Sequence, residues 1–201
     1  MKNKIKIGLT TLVVVTVLLT GCSKVPQSEL DAANSAIEAA KTAGAELYVP
    51  DAYAVLMDSM KIITEKIELQ KTKMFRKYGE VKEELNSVAL LANKVSEQTE
   101  ARKNEVRTEV QNTLAEVKAI LKENKQLITK VPKGKEGTAA LVEIRNEINT
   151  IEVSLNEAFK LFEGNEYITA LDKVKAAKSE ASSINTELKQ VIAKYRGMKT
   201  L

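Results

Sequence analysis

Residues 80–130 read EVKEELNSVALLANKVSEQTEARKNEVRTEVQNTLAEVKAILKENKQLITK, with neither proline nor glycine. Val81, Leu85, Val88, Ala92 and Val95 recur at steps of three and four, which places them on one side of a helix. The rhythm resumes with Val106, Val110, Leu114, Val117, Leu121 and Ile128. Between the two runs, residues 96–105 (SEQTEARKNE) carry a single apolar side chain, Ala101. The stretch predicts one continuous helix of about 75 Å at 1.5 Å per residue. Two helices joined at the polar waist are the alternative.

Working outward, the same rhythm fills the rest of the chain. A first helix is expected from a capping box at Ser28-Glu29-Leu30-Asp31, with Leu30, Ala33, Ile37, Ala40, Gly44 and Leu47 on its apolar side. Pro50 either ends it or opens the next helix at a first-turn position. The second helix carries Tyr53, Leu56, Met60, Ile63, Ile67, Gln70 and Met74, and a break follows at residues 75–79 (FRKYG). After the long helix, residues 131–137 (VPKGKEG) read as a linker. A fourth helix then carries Leu141, Ile144, Ile148, Ile151, Leu155, Ala158 and Phe162. Gly164-Asn165-Glu166 makes a tight turn. The last helix carries Tyr167, Ala170, Val174, Ala177, Ala181, Ile184, Leu188, Val191 and Tyr195, and stops at Gly197. Such three-four alternation is a coiled-coil seam, so the expected fold is all-α, an elongated antiparallel helical bundle.

A faint duplication sets the domain plan. Val49-Pro50 and Val131-Pro132 each precede a helix, a turn near Gly79 or Gly164, and another helix. The expected architecture is two three-helix modules sharing the long helix: module one over 28–97, the linking helix over 98–131, and the hairpin of module two over 132–201. Its layout resembles that of spectrin-type repeats. One bundle folded back at the waist is the competing topology.

Composition narrows the chemistry. Of 201 residues, 44% are hydrophobic, 29% charged and only 4% aromatic, a balance that favours long helices with aliphatic cores. There is no histidine, the commonest general base and transition-metal ligand. The single cysteine permits neither an intrachain disulfide nor a thiolate zinc cage. No serine sits in a G-x-S-x-G turn, no spacing singles out a serine–lysine pair, and no EF-hand loop or phosphate cradle is present, so no cofactor is expected. Glu83/Glu84 and Glu97/Glu100 alternate with lysines beside the seams and read as solvated helix surface. Met57, Met60 and Met74 read as core fillers rather than a soft-metal site. Tyr48, Tyr53, Phe75, Tyr78, Phe159, Phe162, Tyr167 and Tyr195 gather near helix ends and are expected to plug them. The waist reads as a solvated linker helix, with a hinge or docking site as the functional alternative.

The N-terminus reads as an address. Lys2, Lys4 and Lys6 precede an apolar run from Ile7 to Leu19, followed by small residues, the plan of a secretory signal. The run is shorter than the roughly 20 residues that span a bilayer. Without those three lysines the 31 basic residues become 28 against 27 acidic ones, near +1, which offers no concentrated basic face for nucleic acid. Leu19-Thr20-Gly21-Cys22 resembles a bacterial lipobox. That resemblance implies a signal peptide over 1–21, cleavage between Gly21 and Cys22, and acyl chains on the Cys22 sulfur, with 22–27 as a lipidated tether. Ser23 after the cysteine, where an aspartate would signal retention, implies an outer-membrane lipoprotein facing the periplasm. In a cell with one membrane, the outer face of the plasma membrane is implied instead.

Residues 28–55 resemble a short alanine-rich domain of unknown function in bacterial envelope lipoproteins. Ala36, Ala39, Ala40, Ala43, Gly44, Tyr48 and Pro50 match it, and Val49 stands where that domain has alanine. Relatives carry an OmpA-like peptidoglycan-binding domain farther on; nothing here resembles one. Gly164-Asn165-Glu166-Tyr167 with Ala170-Leu171 is similar to the turn of a tetratricopeptide hairpin. The expected function is a non-enzymatic envelope lipoprotein, tethered to the membrane through Cys22, that offers helical surfaces to an envelope protein partner or to itself. The alternative is a carrier holding a lipid or other apolar ligand among Met57, Met60, Ile63 and the alanines of the first helix.

Overall fold

A computed structural model describes residues 24–131 and 135–198. Among the described residues the chain is helical with no strand: α1 (Gln27–Ala43), α2 (Ala45–Tyr48), α3 (Pro50–Lys71), α4 (Gly79–Ile128), α5 (Lys135–Glu163) and α6 (Tyr167–Met198). The fold is an all-α helical bundle. The waist does not interrupt α4. The chain divides into two compact units between Ala101 and Arg102, inside that waist.

The first unit is built by α1, α2, α3 and the N-terminal part of α4. Its core joins Ala33, Ile37 and Ala40 of α1 to Leu56, Met60, Ile63 and Ile67 of α3 and to Val81, Leu85, Val88, Ala92 and Val95 of α4. Ala33, Ala40 and Ala92 are fully buried, and their small side chains let the helices approach closely. Lys82 reaches Glu29 at 2.8 Å, tying the start of α4 to the start of α1. Lys66 of α3 donates to Glu84 of α4.

Several expectations for this unit are corrected. The capping box does not form: α1 begins at Gln27, no side chain caps it, and the Gln27 amide instead donates to Asp31 at 2.8 Å. The first helix does not run on to Leu47. Gly44 takes φ 98°, a left-handed C-cap whose N–H bonds back to Ala40 and Lys41, and the short α2 sets off in a new direction. That turn carries Leu47 out to 60% exposure. Pro50 opens α3 at its first turn, where no amide hydrogen is missed. Met74 is not core: α3 ends at Lys71, and Met74 is 84% exposed in the following turn. Met57 is exposed too, one position off the seam, and of the three methionines only Met60 is buried. Among the aromatics, Tyr78 plugs the end of the bundle as expected, whereas Phe75 and Phe159 face solvent.

The second unit is built by the rest of α4 with α5 and α6. Leu141, Ile144, Ile148, Ile151, Leu155 and Ala158 are buried on α5, and Ala170, Val174, Ala177, Ala181, Ile184 and Leu188 on α6. On α6 the next buried residue is Ile192, while Val191 is exposed. Two consecutive steps of four bring a seam that averages 3.5 residues per turn back into phase with a helix of 3.6. The expected linker is also shorter on its C-terminal side, since α5 is already helical at Lys135; a glycine such as Gly137 in a first turn leaves few intrahelical bonds at risk. Pro132, Lys133 and Gly134 lie outside the described residues. The turn between α5 and α6 closes with Glu166 N–H on Leu161 O at 2.9 Å and Asn165 N–H on Phe162 O at 3.1 Å. Asn165, not Gly164, takes the left-handed position, at φ 64°. The Tyr167 hydroxyl then donates to the Asn165 side chain at 2.6 Å, and the Phe162 and Tyr167 rings sit 5.4 Å apart. α6 runs one residue past Gly197, to Met198.

Leu56 and Met74 separate core from surface cleanly. Leu56→Ala is expected to lower unfolding free energy by about 2–5 kcal/mol, and Met74→Ala to stay within about 0.5 kcal/mol. Urea denaturation measures both, and comparable losses would place Met74 in the core.

Candidate functional site

The residues that carry the expected site, Leu19, Thr20, Gly21 and Cys22, lie outside the described residues, as does the whole apolar run. What the fold adds is the point at which the chain leaves them. Val25 and Leu30 pack against the first unit's core. Gln27 N–H bonds Val25 O at 2.8 Å, and Leu30 N–H bonds Pro26 O at 3.0 Å. Val25, which packs on this core, is three residues from Cys22 in sequence, a reach of about 10 Å when fully extended. Among the described residues, no helix is long and apolar enough to cross a membrane.

The carboxylates considered from sequence are occupied or scattered rather than gathered. Glu84 accepts from Lys66, with Glu80 4.0 Å from the same ammonium. Glu83, Glu97 and Glu100 are exposed on α4. Among the described residues, no group of three or more Asp, Glu, His or Cys side chains could hold a metal ion.

The second unit has a directional pattern of charge that the seam alone did not reveal. Lysines of α6 meet glutamates of α4: Lys175 with Glu109 at 2.6 Å, Lys178 with Glu116, and Lys189 with Glu123 at 2.8 Å. The two outer rungs are two heptads apart on both helices, so α4 and α6 run parallel. Lys125 of α4 meets Glu152 of α5 at 2.6 Å, and Lys173 of α6 meets Glu157 of α5 at 2.6 Å. Beneath these rungs Asn124 is fully buried. It donates to Ala181 O at 2.7 Å and accepts from the Asn185 amide at 2.7 Å. The sequence signal for Asn124 was present: it fills the missing seam position between Leu121 and Ile128. A single buried asparagine in an aliphatic seam fixes register, because any slip leaves its amide unpaired. Thr99 is buried in the waist, which is therefore not solvated all round, but its hydroxyl donates to Val95 O of its own helix at 2.7 Å and so does not set register.

Three open grooves follow from this packing. The groove between α4 and α5, about 690 Å³, is lined by Lys118, Lys122 and Lys125 beside Glu152, with Leu121 and Leu155 at its floor. The groove between α5 and α6, about 550 Å³, is acidic through Glu143, Glu147, Glu180 and Glu187. The third, between α4 and α6, runs along Glu109, Glu116 and Lys178. These are charged channels between ridges, not enclosed apolar chambers. Comparison with protein families, curated sequences and solved structures returns no match.

The ion pairs give the fold a defined pH response. Hydrogen bonds from Lys82, Lys189 and Lys173 hold the carboxyls of Glu29, Glu123 and Glu157 below their usual 4.5. Their stabilisation is complete above 4.5 and is lost as pH falls through the lowered folded values. Hydrogen bonds donated to Glu84 and Glu29 raise Lys66 and Lys82 above 10.5, and that stabilisation is complete below 10.5 and is lost as pH rises through the raised values. The urea midpoint is expected to be flat between these limits and to fall outside them, less so in high salt because the pairs are exposed. A midpoint that changes steeply near neutral pH would contradict this assignment.

Proposed function

We propose that the protein is a membrane-anchored, non-enzymatic envelope lipoprotein whose helical units act as a scaffold for an envelope protein partner. The single observation that carries this is Leu19-Thr20-Gly21-Cys22, with the only cysteine of the chain at the acylation position behind a basic start and a short apolar run. The outer membrane, facing the periplasm, is the proposed location. Confinement by acyl chains raises the effective concentration of helix-surface contacts that would be weak in solution.

The folded residues support a binding role by what they offer. Their functional groups lie in ion-paired rungs and open charged grooves, which suit a polar partner helix or strand. The alternative of a lipid carrier draws no support from the first unit, where Ala33, Ala40 and Leu56 are closed to solvent and Met57 faces it.

Cys22→Ala tests the anchor. The variant is expected to lose all palmitate labelling and either keep its leader or leave the membrane fraction. Palmitate labelling that survives the substitution would refute the assignment.

A further inference from the structure

Ahead of the buried Tyr78, residues 71–77 of the turn between α3 and α4 are all exposed, and they concentrate two kinds of side chain. Residues 71–77 read KTKMFRK, with four cations and no acid between Glu68 and Glu80. At its centre Met74 is 84% and Phe75 72% exposed, the two most exposed large apolar side chains among the described residues. Two large apolar side chains held in water at the point of a turn are unfavourable for a free surface, and flanking cations do nothing to cover them. In the headgroup region of an anionic bilayer the same arrangement is favourable twice over. The apolar pair enters the acyl boundary, while lysine and arginine meet lipid phosphates.

Position decides the occupant. α1 runs away from its N-terminus, α3 returns, and α4 sets out again, so the α3–α4 turn lies at the end of the first unit where the chain enters. Glu29 of α1 meets Lys82 of α4 at 2.8 Å, and Val25 and Leu30 pack on the same core as Tyr78 and Val81. Lys71 is paired with Glu68 at 2.6 Å; Lys73 and Arg76 flank the apolar pair directly in sequence, and Lys77 follows one residue farther on.

We infer that Met74 and Phe75, with the cations around them, form a second membrane contact that inserts into an anionic phospholipid surface beside the acyl anchor. The nearness of that surface rests on the proposed acylation of Cys22, three residues in sequence from Val25 on the core at this end of the unit, a reach of at most about 10 Å. One flexible attachment lets a domain swivel; a second contact at the same end fixes its orientation on the bilayer.

The chain has no tryptophan, so Phe75→Trp in the full-length protein gives a single emission probe. Leu47→Trp, at the opposite end of the first unit, is the control. Each is reconstituted into phosphatidylcholine vesicles with and without phosphatidylglycerol. With phosphatidylglycerol, the Phe75→Trp emission is expected to shift to the blue and to be quenched by brominated lipid. The control is expected to stay aqueous, and adding Lys73→Glu and Lys77→Glu is expected to abolish the shift. An aqueous Phe75→Trp signal on vesicles that carry the acylated chain overturns the insertion and leaves the anchor standing. Equal shifts at both positions, or a shift that needs native membrane protein, also overturn it. A chain that proves unacylated but still shows the Phe75→Trp shift on added vesicles supports the insertion and refutes the anchor.

Discussion

Everything in this fold depends on covering the aliphatic seam of α4. That helix is strongly charged on its other sides, and neither half of its seam could stay dry alone. Val81 through Val95 are covered by α1 and α3, and Val106 through Ile128 by α5 and α6. Each cover is a helix pair because one neighbouring helix leaves part of an apolar stripe in water. The alanines of α1 do for the first unit what Ala170, Ala177 and Ala181 do for the second: they shorten the distance between helix axes so that valines and leucines opposite can fill the gap.

Aliphatic seams alone tolerate slippage by a heptad, and polar groups remove that freedom. Asn124 holds α6 at one register, since its donor and acceptor both find partners only there. The rungs from Glu109 to Lys175 and from Glu123 to Lys189 agree with that register. Each exposed pair is worth little by itself. Their value lies in consistency, because the same alignment satisfies the core, the buried amide and the surface charges together.

Periodicity made the helices and most of the core legible in the sequence, because a step of three or four states directly which side of a helix is dry. It failed where the helix itself changes. Leu47 keeps the rhythm on paper, but Gly44 turns the backbone before it is reached. Met74 also keeps it, but α3 has ended three residues earlier. Val191 falls out because a long helix must re-phase its seam. The cross-helix rungs were not legible, since they depend on the rotation and offset of neighbours that no single helix encodes. The proposed anchor was the reverse case, readable only as sequence at Leu19-Thr20-Gly21-Cys22. The basic apolar turn was seen only as a break between helices, and its meaning came from the exposure of Phe75 and from the end of the unit on which it sits.

The functional proposal joins these levels. Acylation at Cys22 would bring a bundle to the bilayer, and the packing of Val25, three residues on, would hold it close. Seams covered from both sides leave the charged outer surfaces free for a partner. The central physical claim is that α4, though one helix, is stabilised by two separate covers, with Thr99 the one buried side chain of residues 96–105 between them. Native-state hydrogen exchange along α4 tests it most directly. The account predicts strong protection of amides over 81–95 and 106–128, with distinctly faster exchange over 96–105. Uniformly slow exchange through residues 96–105 would contradict it.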